Sequence, residues 1–176
     1  MAIVYEKQGQ GEHVFTLHTE HSTYQMKVDG HGYLLHLYYG GKVSGCMDYL
    51  LTYYDRGFSG NPAAAGLDRT YSLDTLPQEY PALGTGDFRS SALAVCNGDG
   101  SQCCDLRYAG HEVRKGKYGL KGLPAVYAEQ GEAETLEIRL RDLVSGVEVA
   151  LLYGVLEGED VITRSAVIRN GAGTGI

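Results

Sequence analysis

Along most of its length this chain places apolar side chains at every second position, and almost nowhere at the third and fourth. Tyr24, Met26 and Val28 alternate with Thr23, Gln25 and Lys27, and Phe15 and Leu17 share a face in the segment 13–19. Near the other end Leu136, Ile138 and Leu140 alternate with Glu137, Arg139 and Arg141. A two-residue period is the signature of strands with one dry and one wet face. No apolar window at helical spacing runs far before Gly or Pro interrupts it, so the fold class is all-β with little helix.

The alternation predicts strands over 13–19 and 23–29, a turn bounded by Gly30 and Gly32, and a third strand over 33–39 closed by Gly40-Gly41. A hairpin is expected from 91–96 and 102–108, because Asn97-Gly98-Asp99-Gly100 lies between two alternating runs. Val147 to Leu156 is apolar on both faces, as in a mid-sheet strand covered on both sides. A last strand spans 161–169. The 14 Tyr and 25 Gly against 4 Pro suit strands and tight turns. Roughly ten to fourteen strands in a chain of this size imply a sandwich of two antiparallel sheets. Residues 170–176 open a turn with no strand to follow, so the chain looks cut there.

The 176 residues fit one domain. With 15 basic and 22 acidic residues the net charge is −7, and the cations are scattered, which disfavours nucleic acid and anionic membranes as partners. No stretch has the length of a membrane helix and the start has no signal-peptide layout, so a cytoplasmic location is expected. Cys46, Cys96, Cys103 and Cys104 match no metal or redox spacing and read as free thiols. His13, His18 and His21 form a loose run whose rings, on a strand and turn, point different ways. No cofactor motif or nucleophile elbow occurs, and neither a cofactor nor a metal is expected.

Residues 57–86 hold Pro62, Pro77 and Pro81 and lack alternation, the mark of a long ordered loop. Around it Asp55-Arg56, Asp68-Arg69 and the pair Asp87 and Arg89 are set among Tyr71, Tyr80 and Phe88. Planar charged groups beside aromatic faces suit sugar hydroxyls and C–H surfaces. The same residues can equally hold the loop together by local caps and ion pairs, and composition alone favours that second reading. Glu79, Asp87 and Asp105 are carboxylates that a glycosidase could use, but nothing selects a pair from them. Tyr71, Leu73, Leu76, Pro77 and Tyr80 read as packing for the loop.

The strings RGFSGNP (56–62), DRTYSLDTLPQEYPALGTGDFR (68–89), KGKYGLKGLPAVY (115–127), AETLEIRLRD (133–142) and DVITRSAVIRN (160–170) run in order over nearly the whole chain. They resemble the N-terminal region of bacterial glycoside hydrolase family 36 α-galactosidases. The resemblance implies a β-supersandwich over 1–176 that precedes a (β/α)8 barrel. In the family that barrel carries the aspartate nucleophile and acid/base, so this chain by itself is expected to be inactive. It further implies a tetrameric parent that releases terminal α-galactose from melibiose- and raffinose-type sugars. In it, the N-terminal domain lies against neighbouring subunits and reaches a neighbour's substrate pocket. Matching the family's motifs residue by residue places its N-terminal aspartate on Asp55 and the arginine before the T-Y-S-L-D string on Arg69, both as contacts to the sugar. The segment 48–54 varies among relatives in length, which makes the placement of Asp55 looser than that of Arg69.

Two rival functions come from other classes. A free-standing carbohydrate-binding module would show an exposed aromatic platform, against which the lack of Trp counts. An independent small hydrolase would need its own convergent carboxylates. The two-sided run 147–156 also leads us to expect exposed apolar patches on the isolated domain.

Overall fold

The computed structural model describes residues 1–55 and 61–171. Among these, the chain forms two four-stranded antiparallel sheets, each a simple meander. The first comprises β1 (Ile3–Gln8), β2 (Glu12–His18), β3 (Ser22–Val28) and β4 (Leu34–Gly41). The second comprises β5 (Arg107–Lys115), β6 (Ala133–Arg141), β7 (Val147–Leu156) and β8 (Val161–Asn170). Helix is limited to single 3-10 turns at Asp48–Leu50, Ala63–Ala65 and Glu157–Glu159.

The sheets meet face to face over the main core. Phe15, Leu17, Met26 and Val28 of the first pack with Leu136, Ile138, Leu140, Val149, Leu151 and Tyr153 of the second. These are the dry faces of the alternating runs, so the two-residue period sorts apolar side chains to one side and the hydrophobic effect stacks the two sides together.

Each sheet is also partly covered on its far face. On the first, Thr23 and Gln25 are buried although alternation assigns them to the wet side. The segment after β4 folds back over them: Gln25 Nε2 donates to Gly45 O at 2.9 Å, its Oε1 accepts from Met47 N at 2.9 Å, and Val43 N donates to Thr23 Oγ1 at 3.1 Å. Beside this, Tyr33 and Leu35 meet Ala65, Tyr71, Leu73 and Leu76 in a second, smaller core. On the other sheet Leu152 and Leu156 are buried on the outer side of β7, as its two-sided pattern requires. Tyr118 crosses that face, with its N–H on Thr135 Oγ1 at 3.0 Å and its hydroxyl hydrogen-bonded to Ser165 Oγ at 2.9 Å.

Eight strands are fewer than alternation suggested, since 42–106 is connection and the strands of the second sheet are long, nine or ten residues each. The expected hairpin of 91–96 with 102–108 is not formed. Its turn exists, with Asn97 N on Ser101 O and Gly100 N on Asn97 O, both at 2.8 Å. The flanks, however, pair with an intervening segment. Ala92 N donates to Pro81 O at 2.8 Å, Leu83 N to Leu93 O at 2.9 Å and Cys104 N to Leu83 O at 3.1 Å. Residues 81–83 thus occupy the place the hairpin partner would have taken, and strand β5 begins only at Arg107.

Candidate functional site

The connection between the sheets lies over the second core, and the sequence-predicted site residues stand on it. Asp55 and Arg69 come together, with Arg69 Nη2 3.4 Å from Asp55 Oδ1 and both side chains more than half exposed. They flank the stretch 56–68 in sequence. Within it, Asn61 Nδ2 donates to Asp68 O at 2.6 Å, and Asp68 Oδ1 accepts from Thr70 N and Oγ1 at 2.9 and 2.6 Å. Those Thr70 bonds hold the Asp68 carboxyl below its ordinary pKa. Arg56 to Gly60, the first part of the RGFSGNP string, lie outside the described residues.

The floor beneath this pair is buried and hydrogen-bonded. Tyr71 and Asp29 are both 4% exposed, and the Tyr71 hydroxyl donates to Asp29 Oδ2. Asp29 Oδ1 accepts the N–H groups of His31 and Tyr33, each at 2.9 Å, an Asx-type turn between β3 and β4. Burial, followed by the charge of Asp29, pushes the Tyr71 hydroxyl well above its ordinary pKa, so it stays a donor. Arg107 lies 3.8 Å above the Tyr33 ring, is bound to both Asp105 carboxylate oxygens at 2.8 and 2.9 Å, and donates to His31 O. On the solvent side the Tyr53 ring stacks on Tyr71, with centroids 6.3 Å apart and planes 26° from parallel. Tyr53 and Tyr54 are 46% and 53% exposed, leaving aromatic surface beside Asp55.

Of the other candidate carboxylates, Glu79 and Asp87 are buried and Asp105 is half-buried. Asp87 is buried, accepts Arg89 Nε, Nη2 and backbone N–H, and takes Gln78 Nε2 at 2.8 Å. Arg89 also donates to Leu73 O and Leu76 O at 2.8 and 2.7 Å, which clasps the loop. Glu79 is bound by the hydroxyls of Tyr24 and Tyr153, lies 3.1 Å from Arg164 Nη2, and takes His36 Nδ1 at 3.4 Å. Asp105 is tied to Arg107 and Tyr33. The loop-holding reading of Asp and Arg therefore applies to Asp87 and Arg89, while Asp55 and Arg69 present their heads to solvent.

Tyr71, Leu73 and Leu76 are buried and Tyr80 half-buried as packing residues, whereas the Pro77 side chain is exposed and its carbonyl accepts His36 N–H at 2.7 Å. The three N-terminal histidines diverge: His13 hydrogen-bonds Tyr5, His18 bonds Thr23 and His21 bonds Asp160. Among the described residues no group of three or more His, Cys, Asp or Glu could hold a metal ion. All four cysteines are free thiols, with Cys103 exposed and Cys104 buried. No described helix is long and apolar enough to cross a membrane. The role of Asp29 beneath the site was missed in the sequence, although an Asp-Gly ahead of a buried Tyr is the mark of such a turn.

A sequence profile of the glycosyl hydrolase family 36 N-terminal domain matches residues 32–176. The bifunctional alpha-galactosidase/sucrose kinase AgaSK of Mediterraneibacter gnavus is 62% identical over 99% of this chain and 18% of its own length. Alpha-galactosidase AgaA of Geobacillus stearothermophilus is 45% identical over 98% of this chain and 23% of its own. The solved galactosidase domain of AgaSK superposes with a TM-score of 0.91, covering 96% of this chain and 23% of that one. A variant of AgaA solved in complex with raffinose gives 0.84 at 47% identity, covering 89% and 22%. The chain thus spans about a fifth of the length of these relatives.

Proposed function

Because the chain belongs to the glycosyl hydrolase family 36 N-terminal domain family, we propose that it is the N-terminal β-sandwich of an α-galactosidase acting on melibiose- and raffinose-type sugars. In this role it builds subunit contacts, and Asp55 and Arg69 touch substrate in a neighbouring subunit. The catalytic barrel falls outside residues 1–176, and the chain alone hydrolyses no galactoside. The observation that carries the reading is the meeting of Asp55 and Arg69 at 3.4 Å, both exposed, above a buried floor. The raffinose-bound AgaA relative supports the substrate class.

The chemistry suits a rim contact. A carboxylate accepts from sugar hydroxyls and a guanidinium donates to them, each such charge-assisted bond being worth about 1.5–3 kcal/mol. An exposed ion pair is itself worth only about 0–1 kcal/mol, so their mutual attraction alone does not keep the two groups from a sugar hydroxyl. Glu79 and Asp87, being enclosed and bonded within the fold, serve structure. The free thiols fit a cytoplasmic protein, and the net charge of −7 fits one without a nucleic-acid partner.

A free-standing carbohydrate-binding module is the second reading, favoured by the exposed rings of Tyr53 and Tyr54 beside Asp55. Titration with melibiose and raffinose, followed on the backbone amides of Asp55 and Arg69, separates the two. Silence to tens of millimolar places the sugar site in the assembled enzyme. Saturable local shifts, lost in Asp55→Asn, promote the binding module. Hydrolysis of a nitrophenyl α-galactoside by this chain would sink both.

A further inference from the structure

Four rings close the rim where the two sheets meet. On the first sheet Tyr5 of β1 and His13 of β2 stand together, the hydroxyl hydrogen-bonded to His13 Nδ1 at 2.9 Å. On the second, Tyr108 and His111 of β5 repeat the arrangement, hydroxyl to Nδ1 at 2.5 Å. These bonds run within each sheet, and the closest ring contacts run between the sheets. Tyr5 lies 4.2 Å from His111 and His13 lies 4.6 Å from Tyr108, centroid to centroid, while the buried Phe15 meets His111 edge-on at 4.9 Å. Residues three apart on a regular strand point to opposite faces. The register shift between Tyr108 and Gly110 is what brings Tyr108 and His111 to the same face, beside Leu140 and Ile138.

The charges that reach this square are positive. Lys7 of β1 acts on His13, Arg139 of β6 acts on His111, and the two imidazoles stand 6.2 Å apart. β3 offers only the apolar Val28 opposite His13. Among the described residues no carboxylate counters these cations at either ring. Burial first, and then the neighbouring cations, hold both histidines below the ordinary 6.5.

We propose that His13 and His111 form an acid-sensitive latch between the two sheets, closed while both rings are neutral and released at the rim when they take up protons. Protonation sets two like charges across the seam, beside Lys7 and Arg139. β1 and β5 are each the outermost strand of their sheet, so the rim can part without breaking a ladder inside either one. Because the folded values lie below the unfolded one, the stability from the latch is complete above about 6.5 and is lost as pH falls through the folded values.

The test follows the labelled chain by NMR and by urea denaturation from about pH 8 to about pH 5. It compares wild type with the double variant His13→Phe, His111→Phe, which keeps both rings and removes both charges. His18 and His21 titrate elsewhere on the chain, bonded to Thr23 and Asp160, and remain in both proteins. In wild type, His13 and His111 are expected to titrate below 6.5. The ring-to-ring NOEs of Tyr5 with His111 and of His13 with Tyr108 should vanish over the same span, and the urea midpoint should fall. In the double variant the fall in midpoint is expected to shrink to what the other histidines leave. Should that variant not fold, His111→Phe alone carries the comparison, with a smaller recovery. Rings that titrate at or above 6.5, cross-seam NOEs that survive protonation, or a folded variant whose midpoint falls as far as that of wild type would each overturn the proposal.

Discussion

Glu79 gathers more partners than any other carboxylate described above, drawing on β3, β4, β7 and β8 at once. Burial alone would push its carboxyl up, but His36, Arg164 and the hydroxyls of Tyr24 and Tyr153 outweigh it and hold it below the ordinary value. A lowered folded pKa gives stability that is in place above the unfolded value of about 4.3 and is lost as pH falls through the folded one. Glu79→Gln is expected to cost about 2–3 kcal/mol in urea denaturation at neutral pH, because Arg164 loses its counter-charge. It should also flatten the acid limb of the stability curve. The clasp of His21 with Asp160 behaves oppositely on its two sides. Asp160 raises the pKa of His21, so that part is present below about 6.5 and fades as pH rises through the folded value. Bonds from Thr19 and His21 hold Asp160 down at about 2, so that part is present above about 3.9 and fades as pH falls. Both operate between those limits, and Asp160→Asn, which keeps a residue tolerant of the left-handed φ of 53°, should remove both slopes.

Among the elements, the connection 42–106 depends on one close approach. Gly84 has φ +96°, and a Cβ there would stand 2.6 Å from Cys103 Cα. Gly84→Ala is therefore expected to cost about 2 kcal/mol or more, a fall of roughly 4–8 °C in melting temperature. Much of the architecture was legible because alternation is a local signal: β2, β3 and β6 follow from the dry positions of each run, and β7 from its two apolar faces. The connection was not, because its pairing is decided by distant segments. Leu93 and Cys104 alternate like strand residues, yet they serve as plugs beside 81–83. Thr23 and Gln25 look wet in sequence and become buried only because 43–47 returns to satisfy them. At the site, Asp55 and Arg69 were placed by family motif. Asp29, some forty residues before Tyr71, gave no sign of reaching it.

At the scale of the molecule, large apolar side chains remain in water: Leu67 at 98%, Val144 at 96%, Phe88 at 92% and Leu143 at 83%. Phe88 stands between Asp87 and Arg89, whose side chains are bonded to each other, and its own ring lies in solvent. β8 is the outermost strand of its sheet and carries Ile168 at 51% exposure. A long edge with apolar positions invites pairing between chains. The isolated chain is expected to bind a hydrophobic dye and to self-associate in light scattering, and Ile168→Lys should reduce the self-association. A strictly monomeric chain without dye binding would count against exposed contact surface. The two sheets are also contiguous in sequence, the first complete by Gly41 and the second begun at Arg107. A break in the exposed turn at Gly98-Asp99 would yield two pieces that each keep a whole meander, and mixing them should regenerate the native fold by fragment complementation. Asp29, Tyr53, Asp55, Arg69 and Tyr71 would all travel with the first piece, so the proposed sugar contact is a portable property of one half, with Arg107 as the strut lent by the other.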